Sequence, residues 1–157
     1  MQNRMKTHPM TEEAIEALLK RAQVGSIATL DEDGTPYAVP VHFVYLDGAV
    51  YFHGLPKGQK IDNLKARPQV CFSVWDMQGF LMDPEGRPCD TNTKYESVAA
   101  KGEASVLTDL AEKQTVLEAI IAKYTPQLSG TPLPENMLRG TAVVKIEVSS
   151  LTGKYYA

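Results

Sequence analysis

Apolar and polar residues alternate along much of this chain with the two-residue period of β-strands. The alternation is clearest in residues 36–67 (PYAVPVHFVYLDGAVYFHGLPKGQKIDNLKAR), where Asp47-Gly48 separates two apolar segments. An Asp-Gly pair suits a type I′ turn, because both turn residues need positive φ angles. We therefore predict a β-hairpin with a two-residue loop, in which His42 faces His53 on the neighbouring strand.

The two faces of this predicted hairpin differ in character. Since successive side chains point to opposite faces, His42 and His53 share one face with Val44 and Tyr51. The opposite face is wholly aromatic or aliphatic and consists of Phe43, Tyr45, Val50 and Phe52.

The remaining pattern predicts about six strands and about three helices. Thr11 and Asp109 read as the N-caps of two amphipathic helices, and a third helix begins after Lys57 and ends before Pro68. Residues 69–75, 95–107 and 141–148 have strand character, and residues 76–93 are predicted to be a long polar loop. Hairpin-linked strands with few helices favour a mainly β fold of the α+β kind, a β-barrel of antiparallel strands with helices at its ends.

Composition narrows the class of protein. The chain has 157 residues, of which 43% are hydrophobic and 22% charged, and this predicts one globular domain over residues 1–157. No apolar run approaches the roughly 18 residues needed to cross a bilayer, and the N-terminal segment lacks the apolar core of a signal peptide, so we expect a cytoplasmic protein. The net charge of −3 predicts no general attraction to nucleic acid.

Pro40 stands in the middle of a predicted strand, where it has no N–H group to donate to a neighbour. It therefore marks a sheet edge, a bulge or a place where a ligand approaches the backbone, and the sequence does not separate these readings.

Lys57 and Lys60 lie three residues apart at a predicted helix start, where free backbone amides also point outward. Such a place suits a phosphate, and Gly54 and Gly58 would let the backbone come close to it. The alternative is that the two lysines belong to an ordinary solvated helix face.

For His42 and His53 the chemistry stays open between a metal site, a proton donor, a pair that orients a ligand, and two structural histidines. No motif supplies a third metal ligand at a suitable spacing, so no metal is predicted. Two cysteines make no disulfide framework, and Cys89 is expected to be an inert thiol.

Four blocks of the chain resemble, in order and spacing, the FMN-binding split-barrel family related to pyridoxamine 5′-phosphate oxidase, and within it the Nim-type nitroimidazole-reductase-like branch. They are VGSIATLDEDGTPYAVPVHFVYLDGAVYFHG, KGQKIDNLKARPQVCFSV, CDTNTKYESVAAKGEA and LTGK. The arginine with which the oxidase branch holds FMN is missing from residues 39–42, so oxidation of pyridoxamine phosphate is not expected.

The resemblance implies a six-stranded antiparallel split barrel with peripheral helices, assembled as a homodimer with FMN at the subunit interface. By position, the isoalloxazine ring would be lined by Thr29, Pro40, Val41 and His42, and the ribityl and phosphate end by His53, Gly54, Lys57 and Lys60. Tyr95, Ser97 and Val98 would be contributed across the interface.

The function that this resemblance implies is an FMN-dependent reductase that passes electrons from a reduced nicotinamide or another donor to a small electrophile such as a nitroaromatic. His42 would be the catalytic proton donor or the group that orients the substrate. The alternatives are a non-catalytic protein that stores or senses flavin or haem, and a relative whose groove is empty.

Overall fold

The computed structural model describes residues 3–157, and Met1 and Gln2 of the predicted domain lie outside the described residues. The helices are α1 (Asn3–Thr7), α2 (Glu12–Arg21), α3 (Gln59–Ala66), α4 (Leu110–Tyr124) and α5 (Glu135–Gly140). The strands are β1 (Gly25–Leu30), β2 (Pro36–Val41), β3 (Phe43–Leu46), β4 (Ala49–Gly54), β5 (Gln69–Leu81), β6 (Asn92–Val106) and β7 (Ala142–Tyr156).

The strands form one antiparallel sheet in the order β2-β1-β5-β6-β7-β4-β3. The predicted mainly β, split-barrel-like fold is confirmed, although the sheet has seven strands where about six were expected. The extra strand arises at His42, which belongs to no strand and divides one predicted strand into β2 and β3. These two strands lie at opposite ends of the sheet order, so the chain crosses between the two edges at His42.

The predicted hairpin is present, with Asp47 at φ 48° and Gly48 at φ 81° in its turn. Its ladder runs from Leu46↔Ala49 to Phe43↔Phe52, as the sequence predicts. The final predicted pair is wrong, because the chain leaves β3 at His42 and His53 pairs instead with Val143 of β7. The register is therefore correct, and the ladder stops one residue early.

Two apolar cores follow from the predicted alternation. The inner core, enclosed by the sheet, holds Phe43, Val50 and Phe52 together with residues of α2 and α3. The second core lies under α4 and holds Val44 and Tyr51, which confirms that they occupy the opposite face of the hairpin. Each of these side chains is at least 92% removed from solvent, and large buried apolar side chains contribute roughly 1.5–3 kcal/mol each.

The local signals for helix and turn positions are confirmed. The Thr11 hydroxyl accepts from the amide of Ala14, and the Asp109 carboxylate accepts from the amide of Glu112. Helix α3 ends at Ala66, two residues before Pro68. Pro40 lies in β2, an edge strand of the sheet, which is the first of the readings that the sequence left open.

The polar loop predicted over residues 76–93 is present but shorter, and it covers residues 82–91. β5 continues to Leu81 and β6 begins at Asn92, so the two strands form a long hairpin whose register shifts at Met77/Gly79. β5 continues through residues that include Met77 and Phe80. Gly79, at φ 129°, takes up the register shift that follows Met77.

A second irregularity lies between β6 and β7, where Lys101 pairs with Ser150 but Gly102 pairs with Val148. Ser149 is the extra residue, and its hydroxyl donates to the carbonyl of Lys101 at 3.2 Å. A Cβ atom at Gly102 would lie 2.0 Å from the carbonyl oxygen of Glu147, so only glycine fits this close approach.

Candidate functional site

The corner between β2 and β3 brings His42 against α4. The ring of His42 stacks on the ring of Tyr124, with centroids 4.6 Å apart and planes inclined by 25°. Because His42 has no strand partner, this stacking is the contact that fixes the orientation of its imidazole.

The hydroxyl of Tyr124 holds the backbone of the same corner. It accepts a hydrogen bond from the amide of Phe43 at 2.8 Å, and it lies 2.8 Å from the carbonyl oxygens of both Phe43 and Gln23, to one of which it can donate. A single phenol group therefore provides a hydrogen-bond partner for the backbone at the start of β3 and connects it to the segment that precedes β1.

Lys123, the neighbour of Tyr124 in α4, reinforces the corner. Its ammonium group donates to the carbonyl of Phe43 at 3.0 Å and to that of Leu19 at 3.4 Å, and it lies 4.1 Å from the centre of the Phe43 ring. Burial lowers the pKa of Lys123 from its ordinary value to about 8. Keeping the ammonium group charged here therefore costs desolvation free energy. The two carbonyl groups and the aromatic ring offset part of that cost.

His53 and Lys60 lie on the other side of His42. Desolvation lowers the pKa of His53, and the charges of His42 and Lys60 lower it further. The Lys60 ammonium lies 5.0 Å from the centre of the Phe52 ring, and burial lowers its pKa as well. His42, His53 and Lys60 therefore interact as one electropositive group, which we call the corner cluster.

The other predicted phosphate residues continue from the corner cluster along the chain. Gly54 is the last residue of β4, and Lys57 is exposed just before Gly58, which has φ 115° and precedes α3. Among residues 3–157, neither Lys57 nor Lys60 forms an ion pair with a carboxylate. Their positive charge is thus available to an external anion.

A cavity of about 360 Å³ opens beside the corner and is lined by Val24, Pro40, Val41 and His42. A second cavity of about 580 Å³ shares Val24 with it and extends to Trp75. Apolar side chains and the edge of β2 thus form a continuous surface next to the corner cluster, which suits a flat apolar ring that also carries an anionic group.

Thr29 does not join this group. Its side chain is buried, and its hydroxyl donates to the carbonyl of Tyr37 at 3.2 Å and accepts from the amide of Asn63 at 3.0 Å. Thr29 pairs with Tyr37, four positions along β1 from the Gly25↔Val41 pair near the corner. The hydroxyl connects β1 to α3, and a contact of Thr29 with a ligand stays a prediction.

Tyr95, Ser97 and Val98 lie on β6, away from the corner cluster. Val98 is 3% exposed and belongs to the inner core, so its side chain is not presented to a ligand within this subunit. Tyr95 and Ser97 lie on the opposite face, where Ser97 pairs with Trp75 and Tyr95 with Met77. A contribution of this face to a neighbouring subunit stays a prediction.

The remaining candidate chemistry is sparse. Within the part of the chain that the structure describes, no group of three His, Cys, Asp or Glu side chains could hold a metal ion. Over the same residues, no helix is long and apolar enough to span a membrane. Cys89 is exposed, and Cys71 is partly buried in β5.

Sequence reasoning predicted the helix that begins after Asp109 but missed the roles of Tyr124 and Lys123 at the corner. Both reach Phe43 across about 80 positions of the chain, with separations of 81 and 80 residues. Periodicity reports the local element and its buried face, and it carries no signal for contacts of this length.

The seven-stranded sheet and its ligand-sized corner define a split-barrel protein of the pyridoxamine 5′-phosphate oxidase type. The chain belongs to the pyridoxamine 5′-phosphate oxidase family, whose model matches residues 11–155. The resemblance inferred from the sequence blocks is therefore confirmed. No curated protein matches this chain significantly.

Solved structures agree with this assignment. A candidate 5-nitroimidazole antibiotic resistance protein from Bacteroides thetaiotaomicron is 26% identical, with a TM-score of 0.80 over 93% of this chain and 85% of that one. The flavocytochrome Anf3 from Azotobacter vinelandii is 19% identical, with a TM-score of 0.86 over 99% and 72%. The FAD and heme binding protein from Mycobacterium smegmatis is 19% identical, with a TM-score of 0.82 over 92% and 71%. The last two show the fold alone.

We expect Tyr124→Phe to lower the free energy of unfolding by about 1–3 kcal/mol, because it leaves the amide of Phe43 without its acceptor while keeping the ring under His42. Urea unfolding measures the change. Tyr45→Phe is the matched control, since the half-buried Tyr45 hydroxyl makes no hydrogen bond among residues 3–157. Equal losses of unfolding free energy in the two variants would show that the Tyr124 hydroxyl does not stabilise the corner.

We expect the stability of the protein to rise between pH 8 and pH 10 through Lys123. Its folded pKa of about 8 lies below the unfolded value, so the unfolded chain binds more protons in this window and raising the pH favours the folded state. The difference in unfolding free energy between wild type and Lys123→Met should therefore grow in favour of the wild type from pH 7 to pH 9.5. Lys101→Met, on the exposed face of β6, controls for loss of one charge, and a pH-independent difference would contradict the assignment.

Proposed function

We propose that this protein binds FMN at the β2–β3 corner and uses it to reduce a small electrophile, such as a nitroaromatic compound, at the expense of a reduced nicotinamide. The observation that carries the proposal is the pair Lys57 and Lys60, which have no acidic partner among the described residues and follow the histidine-lined corner with its apolar cavity. Family membership supports a flavin, because related structures include a flavocytochrome and a FAD and heme binding protein.

The residues at the corner fit the two ends of FMN. Lys57 and Lys60 would hold the phosphate, where a charge-assisted hydrogen bond contributes about 1.5–3 kcal/mol. Pro40 and Val41, on the edge strand β2, would lie along the isoalloxazine ring, and the missing N–H of Pro40 leaves that edge without one donor. His53 and Gly54 lie between these two regions of the chain.

When bound, FMN supplies the redox chemistry, and the protein supplies position and protons. His42 is the proton donor or substrate-orienting group in this proposal, because its imidazole lines the cavity and histidine is the side chain that most often serves in general acid–base catalysis. The Tyr124 ring holds that imidazole by stacking, while Lys123 and the Tyr124 hydroxyl keep the backbone of the next residue, Phe43, in place. His42 is the catalytic residue, and Tyr124 is a positioning residue.

The proposed assembly is a homodimer with FMN at the subunit interface. Trp75 and Met77 are 70% and 43% exposed on the same face of the sheet as Tyr95 and Ser97. Further along the β5–β6 hairpin, Phe80 and Met82 are 64% and 70% exposed. Such an apolar surface is typical of an interaction site, and a second subunit would bring its Tyr95 and Ser97 to the ring.

A non-catalytic flavin- or haem-binding protein is the second candidate, and the lowered pKa of His53 favours it. A neutral imidazole is the form that binds haem iron, and desolvation, together with the charges of His42 and Lys60, lowers the pKa of His53 and so favours that form. The absorption spectrum of the purified protein separates the candidates, because flavin and haem absorb at different wavelengths.

We expect Lys60→Ala to weaken FMN binding by more than tenfold, about 1.4 kcal/mol or more, because it removes a phosphate contact. Quenching of flavin fluorescence measures the affinity. Lys101→Ala is the matched control and should bind as the wild type does. Equal affinity of Lys60→Ala and wild type for FMN would show that Lys60 does not contact the phosphate. The proposed dimer has a test of its own: a monomeric mass of the FMN-loaded protein in sedimentation would contradict a site at the subunit interface.

We expect His42→Asn to bind FMN within a few-fold of wild type but to lower turnover by 10²–10⁴, the range that general acid–base catalysis contributes. The assay follows oxidation of reduced nicotinamide with a nitroaromatic acceptor across pH 5–9. Wild-type protein that binds FMN but shows no turnover with any reduced nicotinamide would instead favour the storage or sensor alternative.

A further inference from the structure

A separate cavity of about 370 Å³ lies between the three helices α3, α4 and α5 and the end of β6. Each helix contributes one cation to its lining, namely Lys65, Lys113 and Arg139. None of the lining residues is acidic. The cavity is therefore electropositive on three sides.

Lys113 is the unusual member of this set, because it is 5% exposed. Among residues 3–157 its ammonium group forms no ion pair and no side-chain hydrogen bond. Within the described part of the chain, no buried side-chain nitrogen or oxygen atom lacks a hydrogen-bond partner, so the unpaired ammonium group of Lys113 must reach the cavity that it lines. An anion that enters the cavity can therefore contact this ammonium group directly.

The two other cations stand at the mouth of the cavity. Lys65 is exposed on α3 without an ion pair among the described residues. Arg139 is paired with Glu135 one turn away, but both side chains are about two-thirds exposed, at 64% and 67%, and such pairs are weak. Arg139 can therefore turn one edge of its guanidinium group to an anion without losing much.

The rest of the lining suggests what the anion is attached to. Thr108 and Thr141 provide hydroxyl groups, and Thr108 and Leu110 flank the start of α4, whose 15 residues direct the positive end of the helix dipole towards this wall. The nearest carboxylate along the chain, Asp109, is absent from the lining and accepts from the amide of Glu112 at 2.8 Å. The remaining walls are mainly aliphatic.

We propose that this cavity binds a small organic phosphate, with the phosphate on Lys113, Lys65 and Arg139 and an apolar body against the aliphatic walls. Three cations and two hydroxyls suit a dianion with several acceptor oxygens better than a single carboxylate. The site is distinct from the corner, because none of His42, His53, Lys57 and Lys60 lines the cavity. Its location does not depend on the proposed function.

Phenyl phosphate is the probe, titrated into FMN-saturated protein by calorimetry, with amide chemical shifts of Thr108 and Thr141 as the local readout. We expect phenyl phosphate to bind more tightly than inorganic phosphate, and Lys113→Met to weaken it at least tenfold without lowering the melting temperature. Lys101→Met, which removes an exposed charge of β6, is the matched control and should bind as the wild type does. Arg139→Gln, at an exposed position, should weaken binding several-fold and keeps the test open if Lys113→Met fails to fold.

Three outcomes would overturn the proposal. Binding that is unchanged in Lys113→Met or, should that variant fail to fold, in Arg139→Gln would remove the cavity as the site. Tighter binding of benzoate than of phenyl phosphate would assign the cavity to carboxylates. Binding of phenyl phosphate to flavin-free protein alone would make the cavity part of the flavin site. If FMN itself does not bind, the proposed function fails, and the same titration on flavin-free protein still tests the cavity.

Discussion

The hydrogen bond between the Phe43 amide and the Tyr124 hydroxyl is the contact on which the corner depends. At this point the chain leaves one edge of the sheet and joins the other, so neither β2 nor β3 can satisfy the backbone there. Helix α4 supplies the missing partners through a phenol and an ammonium group from consecutive residues. His42 lines the cavity while the ring of Tyr124 stacks on it and the backbone of Phe43 beside it is held in this way.

Positive charge is the second organising constraint, and it is divided between two places. At the corner, the charges of His42 and Lys60 lower the pKa of His53, whereas Lys113 lines a separate cavity between the helices. Neither Lys60 nor Lys113 forms an ion pair with a carboxylate among the described residues. An anion that bound at either place in the folded protein alone would stabilise it.

Sequence reasoning worked where the signal is local. The Asp47-Gly48 turn fixed the register of the hairpin through Phe43↔Phe52, and the caps at Thr11 and Asp109 were found from residue type and spacing. It failed where tertiary contacts decide. The β5–β6 hairpin continues through a segment rich in turn residues, and His42 leaves the ladder because α4 offers it a better neighbour than His53. The place of Thr29 at the ring, inferred from the family blocks, stays a prediction, and the hydrogen bond of its hydroxyl with Asn63 of α3 is a further contact that sequence reasoning missed.

Ser149, the extra residue in the ladder between β6 and β7, changes which side chains of β7 face the interior. On its N-terminal side, the inward residues of β7 are Val144, Ile146 and Val148, at even positions, and beyond it they are Leu151 and Gly153, at odd positions. One additional residue thus changes the phase of the strand, so that both halves of a 15-residue strand direct apolar groups to the same interior. Because Ser149 bulges out of the ladder, Lys154 lies outside beside Tyr95; a regular ladder through the same residues would turn Lys154 inward, to the side on which Gly153 contacts Ile15 of α2.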